Sequence, residues 1–408
     1  MGNLPSVKIY FENGALGSVS PSDDGVVGLV CSGAAAGTGA EKIELGTAYL
    51  LTSLADLEKR GVTSAESGDN AMLYRTVKEF YSEAPNGTKL WLMVVGNDVT
   101  QSAIVDKAGE KAYAKSLIVA AKGDINLIAV KTSSAGKTAG ENGIAEDTYA
   151  AVAKAQALAE DFAAEEMYAP CMVLLEGLSY NGEAGSLKKL AEMDCNRVAV
   201  LIGDTFSDSK GAAVGLLAGR IASIPVQRSI ARVKSGAVGS TEMYIGAEKA
   251  ENGNPDTISG SGYICPRTFV GKAGYFWSDD KLATAVSDDY ALIPRRRVID
   301  KAYRIAYQTL INELGEEIPV TSDGNIPAAT CKSIQNMVET AVINSMTNEG
   351  NLGIDPEDPN DTGVECYIDP AQNIVADSKL KVQLRVRPYG YAKYIEVFLG
   401  FQAVKSTK

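Results

Sequence analysis

Histidine is missing from all 408 residues. That removes the commonest general base, the usual partner of serine and cysteine nucleophiles, and the commonest transition-metal ligand. The six cysteines (Cys31, Cys171, Cys195, Cys265, Cys331, Cys366) lie far apart and form no C-x-x-C pair. They are expected to be reduced, buried small hydrophobes, and no metal site or cofactor is expected. No apolar run approaches the roughly 18 residues of a membrane span, and no charged-then-apolar signal segment opens the chain. Direct membrane insertion is therefore not expected. Basic residues are in deficit, 39 Lys and Arg against 51 Asp and Glu, for a formal net charge of −12. A nucleic-acid surface needs a basic face, so that class of partner is excluded, whereas the acidity suits solubility at high concentration.

What is present is an ordinary globular composition, 45% apolar, in a chain long enough for two or three domains with sizeable cores. Both ends carry strand patterns. Val7, Ile9 and Phe11 alternate with Lys8, Tyr10 and Glu12, and a Gly/Ser/Pro/Asp-rich tether, Asn13–Gly25, follows. Near the other end Leu380, Val382, Leu384 and Val386 alternate with Lys381, Gln383, Arg385 and Arg387. Pro388-Tyr389-Gly390 reads as a turn, after which Ile395, Val397, Leu399 and Phe401 alternate again. A two-stranded hairpin is marginal alone, and an open strand edge invites another chain. Terminal strands on a tether point to assembly by strand addition between copies.

Between the ends, strands and helices alternate. Val26–Cys31, Leu90–Val95, Ile125–Val130, Ala169–Glu176 and Arg197–Gly203 read as buried strands, with a further short apolar run at Thr47–Leu51. Helices are expected from Ser53 to about Gly61, where Ser53-Leu-Ala-Asp56 matches a capping box, and over about 70–83, 107–121, 146–165, 185–193 and 209–223. Strands apolar throughout indicate a largely parallel sheet covered on both faces. The reading is an α/β body over 26–232 behind an arm and linker over 1–25. A Gly/Ser/Asn-rich stretch, 233–262, marks a boundary; a C-terminal α+β domain fills 233–378, with long helices at 294–314 and 327–347; and 379–408 forms the terminal strands.

Several motifs admit sharper readings. Ser32-Gly33-Ala-Ala-Ala-Gly37-Thr38-Gly39 follows the first strand with the spacing of a dinucleotide loop, which makes an NAD-linked α/β oxidoreductase the alternative function. The residues after Gly39 lack a helix-length pattern, however, and the Tyr74/Lys78 pair comes too early, inside an amphipathic helix. Gly211, Gly215 and Gly219 recur every four residues on one helix and read as a small-residue ridge for close helix–sheet packing. Asp279-Asp280 and Asp288-Asp289 could supply oxygen ligands, but lack EF-hand spacing and read as caps or solvated charge. Arg295, Arg296 and Arg297 open a long helix and read as partners for carboxylates across an interface. Met1-Gly2-Asn-Leu-Pro-Ser6 formally fits a myristoylation pattern and is taken as accidental.

Three segments together carry a family resemblance. Ala218-Gly-Arg-Ile-Ala-Ser-Ile-Pro-Val-Gln-Arg-Ser229 is one. Arg267-Thr-Phe-Val-Gly-Lys-Ala-Gly-Tyr-Phe276, continuing through Asp279-Asp280 and Asp288-Asp289-Tyr290 to Arg297-Val-Ile-Asp-Lys-Ala302, is the second. Leu384-Arg-Val-Arg-Pro-Tyr-Gly-Tyr391 with Ile395-Glu-Val-Phe-Leu-Gly-Phe401 is the third. In order and spacing they resemble contractile tail sheath proteins of phage tails and phage-tail-like injection systems, well over 200–408 and in element order only before that. The resemblance implies a structural subunit, not an enzyme, forming stacked hexameric rings around an inner tail tube and contracting to drive that tube through an envelope. It implies contacts with itself, the tube, baseplate and tail terminator proteins, in a particle assembled in the bacterial cytoplasm. It also implies that terminal strands from neighbouring subunits complete the C-terminal sheet, and that this domain faces the tube. The arginine triplet then becomes a possible tube or subunit interface. The 13-residue tether Asn13–Gly25 could span at most about 43–47 Å, enough to reach across a neighbouring domain.

Overall fold

In a computed structural model of the chain, residues 24–65 and 68–401 are described. The first element, β1 (Val27–Ser32), is buried at every position. It is followed by β2 (Ala48–Leu51), α1 (Leu54–Lys59), α2 (Asp69–Glu83), β3 (Leu90–Val95), α3 (Gln101–Ile104), α4 (Tyr113–Ala120) and β4 (Leu127–Lys131). Then come α5 (Glu146–Asp161), β5 (Met172–Glu176), β6 (Val198–Leu201) and α6 (Val214–Ser223). These strands form one six-stranded sheet in the order β2-β3-β1-β4-β5-β6. β1 lies centrally, with Val27 opposite both Leu90 and Leu127, and every pairing is parallel except the antiparallel edge strand β2. Strands buried on both faces have no polar face to present, which is why they read as continuous apolar runs. Helices α2 and α6 cover one face, and α3, α4 and α5 the other.

Three expected elements differ in detail. The helix expected over 107–121 begins only at Tyr113, because Asp106 ties the preceding loop by accepting from the Ala108 amide (3.0 Å). In place of a helix over 185–193 the chain makes two short 3-10 turns, Ala184–Ser186 and Leu190–Glu192. There the Leu190 amide bonds outward to the carbonyl of Ser261 (2.9 Å). At the start of α1 the N-cap Ser53 makes no side-chain cap bond, and Asp56 reaches back to accept from the amide and hydroxyl of Thr52 at 3.0 and 2.8 Å.

The glycine ridge also works differently from the expectation. Gly211 lies in the loop before α6, and Gly215 and Gly219 face α2 rather than the sheet. A Cβ on Gly215 would lie 2.1 Å from the Thr76 carbonyl oxygen, and one on Gly219 2.3 Å from that of Phe80. The two helices touch backbone to backbone at these points.

The chain continues through β7 (Tyr244–Ile245), β8 (Glu248–Lys249), α7 (Pro255–Gly260), β9 (Pro266–Arg267) and β10 (Phe276–Trp277). Val238, Met243, Ile258, Tyr263, Trp277 and Ile293 belong to the same core as the central strands, so packing continues across the 233–262 stretch. Next come α8 (Ile293–Leu310), α9 (Ala328–Val342), β11 (Val364–Tyr367), α10 (Ile374–Asp377) and β12 (Gln383–Val386). A second core joins Val298 and Ile305 of α8 to Val338 and Val342 of α9, Cys366 of β11 and Val386 of β12.

Helix α8 bridges the two cores and carries buried charges along its length. Arg304 donates to the carbonyls of Gly123 (2.7 Å), Ile125 (2.9 Å) and Pro170 (2.8 Å), which lead into β4 and β5. Asp300 pairs with Arg197 (3.0 Å), which also donates to the Cys171 carbonyl, and with Arg296 (3.1 Å). Lys301 reaches Asp24 (2.6 Å), Glu349 (3.1 Å) and Asn351 (2.7 Å).

Gly215→Ala should lower unfolding free energy by about 1–3 kcal/mol through overpacking of α6 on α2, readable by urea denaturation.

Candidate functional site

The chain's end and the small sheet beside it form the first candidate surface. β12 pairs antiparallel with β11, Val364 opposite Val386 and Tyr367 opposite Gln383. This corrects the expected C-terminal hairpin: strand 383–386 has a partner within its own chain, and 395–401 is in no strand. The cause lies in the connecting segment, which does not turn back. Arg387 exchanges backbone bonds with Gly353 and Gly363 (both 2.9 Å), the Tyr391 hydroxyl donates to the Gln227 carbonyl (2.6 Å), and Lys393 pairs with Asp280 (2.8 Å) and Asp279. The chain is thereby carried across the body.

The predicted strand residues are divided by this arrangement. Leu380, Val382, Leu384 and Val386 pack on the chain's own C-terminal cores. Tyr394, Ile395, Val397, Phe398, Leu399 and Phe401 are each at least 77% exposed. Ile395, Val397, Leu399 and Phe401 alternate as expected, and Tyr394 and Phe398 flank Glu396 on the opposite face. Val7, Ile9 and Phe11 lie outside the described residues. Among the described residues no third strand joins β11–β12. Beside the segment lies an open groove of about 1270 Å³, lined among others by Arg228, Arg232, Arg267, Phe269 and Tyr391.

The arginine triplet is split between interior and surface. Arg296 is buried, stacked over the Tyr290 ring (4.3 Å) and paired with Asp300. Arg297 is buried and donates to the carbonyls of Ile224 (3.1 Å), Pro225 (3.3 Å) and Asp24 (3.2 Å). Burial pushes the pKa of both guanidiniums down, to about 10. Arg295 is half-buried. Asp279, Asp280 and Asp288 act neither as helix caps nor as solvated charge. Asp280 is fully buried against Lys393, and Asp288 accepts from Asn196 (2.9 Å), Thr284 (3.1 Å) and the Tyr290 amide (2.8 Å).

The second candidate lies where open α/β sheets hold ligands, outside the carboxyl ends of the strands. Lys131 ends β4, Glu176 ends β5, and Asp204 follows β6. One Glu176 oxygen accepts from the Thr132 amide (2.6 Å) and hydroxyl (3.0 Å), the other from Lys131 (2.8 Å) and the Ala212 amide (3.1 Å). Lys131 also donates to the Ala212 carbonyl (2.8 Å) and lies 3.7 Å from Asp204, which accepts from the Ser209 hydroxyl (2.6 Å). Burial opposes the Lys131 charge, yet Glu176 and Asp204 outweigh it and raise the pKa. A Cβ at Gly211 would lie 2.4 Å from the Lys131 ammonium, so a glycine lets this loop close over the charges. The crevice is filled by the protein's own groups. Sequence reasoning missed this cluster, although a Lys and a Glu each ending an apolar strand were a usable signal.

The Gly33–Gly39 loop does not support the dinucleotide alternative. Gly39 opens a three-residue 3-10 turn, not a helix. Gly37 (φ 75°) packs instead on Arg60 and Gly61, and Ala36 bridges to Ile43. Among the described residues no group of His, Cys, Asp and Glu could hold a metal ion, and no helix is long and apolar enough to cross a membrane.

The architecture is that of contractile sheath proteins. A chain of the anti-feeding prophage baseplate, solved with six-fold symmetry, matches with a TM-score of 0.61 at 14% identity over 99% of this chain and 100% of that one. A chain of an extracellular contractile injection system, the PVC sheath complex in its contracted state, matches at 0.58 and 15% identity over 98% of both. The sheath tail protein of Desulfitobacterium hafniense matches at 0.51 and 13%, over 89% of this chain and 93% of its own. The chain belongs to the DUF2586 family, whose N-terminal domain matches residues 4–281 and whose C-terminal domain matches 289–406. No curated protein matches the sequence.

One carboxyl group near the filled crevice gives a pH test. Glu79 accepts from Thr205 (2.7 Å), and Arg75 and Lys131 lie nearby. Burial, with the Asp204 charge adding to it, pushes its pKa from 4.5 up to about 7. A raised carboxyl pKa means the folded state binds more protons, so this contribution is present below 4.5 and lost as pH rises to about 7. Denaturation at stepped pH should show wild type losing stability relative to Glu79→Gln across that window.

Proposed function

We propose that this protein is the sheath subunit of a contractile, phage-tail-like particle. In this reading subunits form hexameric rings stacked around an inner tube, meet baseplate and terminator proteins at the ends, and contract to drive the tube forward. The particle would assemble in the bacterial cytoplasm. The carrying observation is the run Tyr394–Phe401, apolar on one face, with Tyr394 and Phe398 flanking Glu396 on the other, and exposed along its length beside a two-stranded sheet. Burying one large apolar side chain is worth roughly 1.5–3 kcal/mol, so a run of them calls for a covering surface.

The role assigned to each segment follows from this. Residues 394–401 of one copy, with Ile395, Val397, Leu399 and Phe401 in register, add to the β11–β12 sheet of a neighbour, and Val7, Ile9 and Phe11 of another copy add further strand. Main-chain hydrogen bonds supply the affinity and the alternating side chains supply the register. The arms 1–25 and 379–408 would form the lasting mesh, with 26–232 and 233–378 as the bodies between. Of the triplet we assign Arg295, half-buried where Arg296 and Arg297 are buried, to contact with a tube or a neighbouring subunit. The sheath fold supports this reading, and the filled crevice at the carboxyl ends favours a structural over a catalytic role.

Truncation after Lys393 should abolish tubular assemblies in negative-stain micrographs while preserving the helical circular dichroism signal. Tubes like those of the full chain would overturn the proposal.

A further inference from the structure

We infer that Lys393 is a positioning residue for strand addition, pinning the chain to its own subunit at the point where the donated strand begins. The inference rests on the strand-addition reading and adds to it where each strand starts. Attachments run down the chain at short intervals: β12 on β11, then Arg387 to Gly353, Gly363 and Asp361, then Tyr391 to Gln227, then Lys393 to Asp279 and Asp280. The next residue, Tyr394, is 89% exposed. Among the described residues Lys393 is the last with a side chain bonded to the body, on a segment already exposed at Gly390 and Ala392.

The pair beneath that residue is built into the body. Asp280 is fully buried, and its carbonyl accepts from the amide of Ile293, the first residue of α8 (2.8 Å). Asp279 accepts from the Asp280 amide (2.8 Å) and from Lys281 (3.4 Å). Two adjacent carboxylates, one desolvated, need a compensating cation, and Lys393 supplies it from the C-terminal segment. The site is thus matched to a cation that none of the residues 394–404 carries.

The anchor limits the search for a partner. From Lys393 the eight residues 394–401 reach at most about 26–29 Å in extended form. Release of Lys393 back to Tyr391, the next attachment, would add the two residues 392–393 and roughly 7 Å of reach. The volume swept by the strand would then roughly double and its effective concentration at a neighbouring sheet would fall by about half.

The test uses the full chain, with probes at Val270→Cys and Val397→Cys for distance distributions in the unassembled subunit. Lys393→Gln, and the Asp279→Asn/Asp280→Asn/Lys393→Gln variant that leaves no carboxylate without its lysine, should broaden the distribution and slow tube assembly about twofold. Lys393→Arg should keep both near wild type. A neutral variant that melts like wild type yet retains the narrow distribution and the assembly rate overturns the anchor. If truncation after Lys393 still abolishes tubes in that case, strand addition survives and only the anchor fails. Tubes from the truncated chain overturn both.

Discussion

Carbonyl groups leading into the parallel strands need donors, and helix α8 brings them. Arg304 takes three carbonyls with one guanidinium, a planar fork that a lysine could not imitate, and Arg297 takes three more where α6 ends and β1 begins. Asp300 lies between Arg296 and Arg197 and keeps those buried charges compensated. The same helix turns Val298 and Ile305 toward α9, β11 and β12. One element therefore satisfies the base of the large sheet and forms the wall of the smaller core. The position of the C-terminal sheet relative to the body follows from that double use.

At the other end of the large sheet the logic is reversed. Lys131, Glu176 and Asp204 meet where a doubly wound sheet would open a ligand crevice, and they satisfy one another under a glycine loop. Both ends of the sheet are closed by internal charge. What remains uncommitted is at the periphery: the exposed apolar run 394–401, the groove beside it and the edges of β11–β12. A sheath fold with its chemistry turned inward and its apolar surface at the chain end is suited to joining copies of itself.

The sequence pattern was most legible where burial was complete. β3, β5 and β6 sit within runs read as buried strands, and β1 and β4 run one residue past theirs, because a strand covered on both faces has one requirement at nearly every position. Helices with a strong apolar face, 69–83, 146–161 and 293–310, were equally plain. Shorter pieces were less so: over 185–193 the apolar spacing fitted a helix, but the amide of Leu190 found a partner across space at Ser261. Glycines 215 and 219 announced close packing but not its partner, since the carbonyls they admit belong to a helix some 140 residues earlier. Asp279-Asp280 carried no sign of Lys393, which is more than a hundred residues away.

Periodicity and composition by themselves determined the parallel α/β body, the absence of histidine chemistry, and an apolar strand pattern at each end of the chain. These are local properties, set by which side chains must leave water. Tertiary structure decided which charges are interior and which face a partner. It buried Arg296 and Arg297, paired β12 with β11 instead of with the residues after it, and placed the last internal attachment among the described residues at Lys393. Each of those outcomes depends on where distant carbonyls and carboxylates lie, and spacing along the chain does not encode that position.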